Sequence, residues 1–160
     1  MTLNLHWKKK FFSNQYRIFE NGREVGHFKD QPFSNTTIAG LKGQKYTFKT
    51  TGFFKRHTEV LDASNTVVAE IEYGNWMRTA SISIKGDVYS WKYDNTWNTK
   101  WSIRNHKGIE INYAGSSTKG EIKANVEDTV LVLAGLFITN YYWQTTVAVM
   151  IAIMIPIMVS

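Results

Sequence analysis

Two observations make this a mainly β protein, an all-β barrel or sandwich finished by one apolar C-terminal segment. Up to Asp128 the chain repeats a single rhythm, a short alternating or β-branched run and then a turn signal, with turns roughly every 8 to 12 residues. From Thr129 to Ser160 it carries no Asp, Glu, Lys, Arg or His, and Val, Leu, Ile, Met and Ala dominate. The 160 residues make one ordinary domain, long enough to bury about two-thirds of its unfolded surface. There is no cysteine, which excludes disulfides, thiolate metal sites and cysteine nucleophiles. The formal net charge of +6 belongs entirely to the part before the tail and favours anionic partners such as an acidic lipid surface.

The chain opens MTLNLHWKKKFF, with charges where the apolar region of a signal peptide would lie, so export by the general secretory route is not expected. Leu3, Leu5 and Trp7 share one face of a first strand that ends in Lys8, Lys9 and Lys10. QYRIFE, the type I′ signal Asn21-Gly22 and REVGHFK form a hairpin. Asp30 to Pro32 breaks the chain before NTTIAGL, and Lys42-Gly43 leads into QKYTFKTTGF. His57 to Leu61 is the next run. After Ala63 to Asn65, TVVAEIEY places Val67, Ala69, Ile71 and Tyr73 opposite Val68, Glu70 and Glu72, and Gly74-Asn75 turns the chain toward Trp76. TASISI, a turn at Gly86-Asp87, VYSWKY, KWSIR, a turn at Asn105 to Gly108, IEINYA and a last run near Gly120 to Ala124 complete roughly a dozen strands.

Glu127 and Asp128 then set two carboxylates where they complement the positive end of a helix dipole. The apolar run is interrupted by Thr139, Asn140, Gln144, Thr145 and Thr146, which divides it into Val130 to Trp143 and Val147 to Val159. Three arrangements compete: one membrane span of about 21 residues, a core helix followed by an interfacial helix, or a helical hairpin.

A dozen strands followed by one hydrophobic helix resembles the tubby C-terminal-domain-like superfamily, and within it the LURP-one-related and phospholipid-scramblase-like branch. The residues that carry the resemblance are the hairpin from Tyr16 to Phe28, the strands around Ala69 to Tyr73 and Ile109 to Tyr113, and the helix opened by Glu127-Asp128. It implies a closed, twelve-stranded antiparallel barrel threaded by the C-terminal helix. Residues 1–126 would then form the barrel, 127–146 the central helix of the same domain and 147–160 an apolar extension. The division agrees with geometry: a wall of 7-residue strands is roughly 18 Å tall, which a helix crosses in about 12 to 15 residues. Residues expected to line the inside include Ile71, Ile82, Ile84, Tyr89, Trp91, Ile103, Ile111 and Tyr113.

Motifs that carry catalysis are missing from this pattern. His6, His27, His57 and His106 lie in different runs, without the close spacing that puts two imidazoles on one metal. No GxSxG, P-loop or dinucleotide-binding glycine pattern occurs, and Glu70 and Glu72 read as the solvated side of a strand. The chain is therefore expected to be no enzyme, with no cofactor and no metal. Trp76, Trp91, Trp97 and Trp101, with Lys92, Lys100 and Arg104 nearby, could stack bases. Rings filling a small β core are the preferred reading, so nucleic acid is not expected as a partner.

What is expected is a non-enzymatic, membrane-associated barrel on the cytoplasmic side of a membrane, with a binding or scaffold role. Val147, Val149, Met150, Ile151, Ile153, Met154, Ile155 and Ile157 form the candidate membrane segment, with Pro156 ending or kinking it. Tyr142 and Trp143 are the candidate interfacial rings. Lys8, Lys9 and Lys10 are the candidate contacts to an anionic lipid surface. The alternatives are a soluble, cytoplasmic binding domain whose tail packs on itself or in a homodimer, and a tail-anchored transmembrane protein. An outer-membrane barrel is disfavoured, because most candidate strands are shorter than the roughly 9 to 11 residues a span requires.

Overall fold

Antiparallel pairing of neighbours in sequence, carried all the way round until the first strand meets the last, produces the architecture. The computed structural model describes residues 2–11, 13, 15–30, 35–52 and 56–159; Pro32 and Phe53, which the sequence reading assigns to a chain break and a strand end, lie outside them. The strands are β1 (Leu3–Lys8), β2 (Gln15–Glu20), β3 (Arg23–Asp30), β4 (Thr36–Leu41), β5 (Gln44–Thr51) and β6 (His57–Leu61). They continue with β7 (Val67–Tyr73), β8 (Thr79–Ile84), β9 (Asp87–Tyr93), β10 (Lys100–Arg104), β11 (Glu110–Gly115) and β12 (Lys119–Ala124). Leu3 of β1 sits opposite Ala124 of β12, which closes the barrel. Closure leaves no sheet edge to be covered.

Period-2 alternation decides what faces inward. Ile71, Ile82, Trp91, Ile103, Ile111 and Tyr113 are buried, and so is Tyr89, as expected of their faces. Ile84 is half-buried, because it ends β8 at the rim. Val67 is exposed, where β7 carries one extra residue, Val68, against Val60/Leu61 of β6. The hairpin at Asn21-Gly22 has positive φ at both central residues, 50° and 79°, as a type I′ turn requires. The turn between β8 and β9 falls on Lys85-Gly86, one residue before the expected Gly86-Asp87. Glycine takes the second left-handed position with φ 83°, and Asp87 is already paired with Ile84.

After β12 the chain enters α1 (Thr129–Val159), one unbroken helix of 31 residues. The Asp128 side chain caps it, accepting from the Leu131 amide at 3.1 Å. Every residue from Val130 to Ile138 is buried, on all faces of the helix. Rings from opposite walls meet this segment: Phe28 of β3 and Phe48 of β5 pack on Phe137, with Phe48 stacked at 4.6 Å, while Trp91 of β9 donates to the Gly135 carbonyl at 3.3 Å. The helix therefore runs through the lumen. The polar residues expected to divide it do not do so. Thr139, Thr145 and Thr146 donate back to the carbonyls of Gly135, Tyr141 and Tyr142, so their hydroxyls are satisfied within the helix. Pro156 does not end it either, since helix continues to Val159.

Gly135 is the point of closest approach to the wall, because a Cβ there would collide with the ring and hydroxyl of Tyr113. That hydroxyl is itself held in place, donating to the carbonyls of Val132 at 2.9 Å and Leu131 at 3.2 Å. Gly135→Ala should accordingly lower the unfolding free energy by about 2 kcal/mol or more, measured by denaturant titration. Removing the chain from Thr129 onward should abolish cooperative unfolding. A truncated protein that stays monomeric and melts in one sharp transition would show that the barrel does not need its central helix.

Candidate functional site

The two rims of the barrel differ, and the difference begins in the turns. At the rim where α1 enters, tight polar turns such as Asn21-Gly22, Lys42-Gly43 and Lys85-Gly86 join the strands. Tyr46 meets Thr129 there, their hydroxyls 2.7 Å apart. At the rim where α1 leaves, the connections are longer and carry exposed rings: Phe11 before β2, Trp76 between β7 and β8, and Trp97 between β9 and β10. Trp76 is 90% and Trp97 84% exposed, and Trp143 on the emerging helix is 52% exposed. Trp76 and Met77 also hold left-handed backbone, with φ of 62° and 53°. Bulky residues seldom adopt that conformation, and here it comes with the Trp76 ring standing outside the barrel.

Beyond this rim the helix loses its cover. Every residue from Ala148 to Val159 is exposed, which is about 18 Å of apolar helix at 1.5 Å per residue. By length and composition α1 is apolar enough to cross a membrane. Cations stand around the exit: Lys8 and Lys10 are exposed, and Arg78 donates to Asn98 and to the Asn95 carbonyl while lying over the Tyr93 ring.

A cavity of about 400 Å³ opens at the same rim, between α1 and the wall made by β2, β1, β11, β10 and β9. Two glycines make room for the Trp7 ring that lines it. A Cβ on Gly115 or Gly120 would collide with the indole of Trp7, so the ring lies flat across β11 and β12. On the helix side the cavity meets Leu136, Thr139, Tyr142 and Trp143. Lys9 lines it as well, half-buried, donating to the Ser13 carbonyl at 3.3 Å and lying over the Tyr16 ring. Burial pushes the Lys9 ammonium below the usual lysine value, with the Asp30 charge opposing the shift. The Asp30 carboxylate is turned toward the helix, where it accepts from Asn140 at 2.7 Å and from Gln144.

Of the residues singled out by sequence, the apolar set from Val149 to Ile157 projects together past the rim, while Val147 is half-buried against it. Trp143 is exposed beside them, whereas Tyr142 is buried in the mouth, donating to the Thr79 carbonyl at 2.5 Å. Lys8, Lys9 and Lys10 are not all equally exposed, since Lys9 lines the cavity, half-buried, while the other two are exposed. The tryptophans also separate. Trp91 and Trp101 fill the core as expected, whereas Trp76 and Trp97 do not. Among the described residues no group of three or more His, Asp or Glu could hold a metal ion. No family model matches the chain, and no curated protein or solved structure matches it.

The division among the tryptophans can be read from stability. Trp76→Ala and Trp97→Ala should each change the unfolding free energy by less than about 0.5 kcal/mol. Trp101→Ala, in the core, should cost about 3 to 5 kcal/mol. Equal losses at all three positions in denaturant titrations would place Trp76 and Trp97 inside.

Proposed function

We propose that this chain is a non-enzymatic barrel held at a membrane surface, with the exposed half of α1 inserted in the bilayer and the aromatic rim lying at headgroup depth. The observation that carries the reading is the exposed apolar helix from Ala148 to Val159, since apolar surface of this extent is rarely left in water. Trp143, Trp76 and Trp97 support it, because amphipathic rings favour the membrane interface and these three stand at one end of the barrel. The net charge of +6 supports the cytoplasmic face as part of this reading, since anionic lipids there attract basic side chains. Kinship with the tubby-like superfamily is part of the same proposal, supported by a twelve-stranded closed barrel filled by a C-terminal helix. A binding or scaffold role suits the scatter of His6, His27, His57 and His106, which sit on β1, β3, β6 and the turn after β10.

Membrane fractionation tests this directly. The full chain should stay with the membranes through a high-salt wash, because apolar insertion is insensitive to salt, while a version ending at Thr146 should be released. If both versions are soluble and the full chain runs as a dimer that the shorter one does not form, self-association through α1 replaces the membrane reading.

A further inference from the structure

Barrel closure brings cations into line on the outer wall, just below the exit rim. Lys8 ends β1 and lies opposite Lys119, which begins β12. On its other side Lys8 lies opposite Arg17 of β2, and Arg17 in turn lies opposite His27 of β3. Lys8, Lys119 and Arg17 are exposed and alternate along their strands with the buried Trp7, Ile122 and Tyr16, so they share the outward face. Residues directly opposed on one face of an antiparallel pair hold their Cβ atoms about 4.5 to 5.5 Å apart, and like charges so placed are destabilising. Lys8 meets that arrangement on both sides.

The neighbouring carboxylates do not resolve it. Arg17 is answered by Glu24, 2.8 Å from its Nη2. Its guanidinium and the Lys8 ammonium also gather on one ring, 5.2 and 5.6 Å from the centre of Phe19. Glu121 is the next outward residue of β12, yet among the described residues neither Lys8 nor Lys119 forms an ion pair. Lysines at the entry rim show the usual outcome, since Lys42 pairs with Glu20 and Lys107 with Asp87. Two flexible stems rooted about 5 Å apart can bring both ammonium groups onto the oxygens of one phosphate. Their place in the fold selects the kind of phosphate. The row lies at the rim from which Ala148 to Val159 projects, so a membrane that takes up the helix meets the row at headgroup depth.

We propose that Lys8 and Lys119 hold the phosphate of an anionic glycerophospholipid, at a docking point on the side of the barrel where the exit rim meets the bilayer. For its partner the inference rests on the membrane reading, and it adds which side chains choose the lipid. The contact shifts from the run Lys8, Lys9 and Lys10 to a pair drawn from the two ends of the barrel sequence, formed only when β1 closes on β12.

The test is cosedimentation of the full chain with vesicles of phosphatidylcholine alone and of phosphatidylcholine and phosphatidylglycerol in equal parts. Beside it run the row variant Lys8→Gln/Lys119→Gln and the charge-matched control Lys45→Gln/Lys123→Gln, which alters exposed lysines near the entry rim. Phosphatidylglycerol should tighten binding of the full chain, and the row variant should lose about fivefold per lysine. The control should keep most of the gain, because its lysines stand about a Debye length or more farther from the surface. Lys119→Gln alone should melt no lower than the unaltered chain in buffer, since it relieves a like-charge opposition; a clear loss would make Lys119 a structural residue and overturn the proposal. Equal losses in the two double variants assign the gain to diffuse charge and overturn the row, and so does equal binding to the two vesicles. In both cases insertion into phosphatidylcholine leaves the membrane reading standing. Binding to the mixture alone, abolished by salt and by the row variant, supports the row and sinks the insertion of α1. Binding to single-stranded DNA that only the row variant loses, without any gain from phosphatidylglycerol, gives the row to a nucleic acid and overturns the proposal. A full chain that sediments with neither vesicle overturns both readings.

Discussion

A closed barrel of twelve strands encloses more space than its own inward side chains fill in the smallest barrels, and the rest of this structure depends on how that space is filled. The filler is the first half of α1, and it must be apolar on every side because it meets wall all round. Val130 to Ile138 satisfies that demand. Two of the polar groups inside are answered by the helix backbone. Tyr113 and Trp91 point at carbonyls of Leu131, Val132 and Gly135, the stretch of helix where the small Gly135 lets the wall come close. Burial accordingly raises the Tyr113 phenol far above the usual tyrosine value, which keeps it a neutral donor.

The same helix makes the two ends of the barrel unlike. Where it enters, Asp128 caps its first turn and the strands are joined by tight turns. Where it leaves, longer loops surround a helix that goes on past the wall. The exposed rings of Phe11, Trp76, Trp97 and Trp143 gather there because that is where the loops and the helix offer positions outside the core. Asp30 ties the rim to the helix through Asn140 and Gln144, so the rim and the projecting segment are held in a fixed relation. A membrane that takes up the helix meets the rim in a set orientation.

The strands were legible because a half-buried wall imposes alternation on nearly every one of them, and the helix because nothing else could account for a charge-free run. Continuity of the helix was less legible: Thr139, Thr145 and Thr146 read as breaks in an apolar pattern, and only the structure shows their hydroxyls turned onto the helix's own carbonyls. Trp76 and Trp97 read as core by residue type alone, and alternation gives no help in a loop. The cavity had a weak signal in Gly115 and Gly120, which are paired across β11 and β12, but the ring they accommodate comes from Trp7, more than a hundred residues earlier. No local pattern links residues so far apart. The site therefore depends on barrel closure, the least local feature of the fold.

Closure also orders the events by which such a protein is assembled. β1 can pair with β12 only after nearly the whole barrel sequence is available, and the lumen can be filled only by the helix that comes after β12. Contacts this distant in sequence carry a high loop-closure cost and form late. Until the first half of α1 is seated, the inward faces of twelve strands and an apolar helix are all exposed together. Seating the helix covers the first set and sets the direction of the second, because a helix unbroken through Thr145 and Thr146 carries Ala148 to Val159 out of the exit rim. The interaction that completes the fold thereby presents the surface proposed to act at the membrane, and a defect at Gly135 or Tyr113 would disturb both.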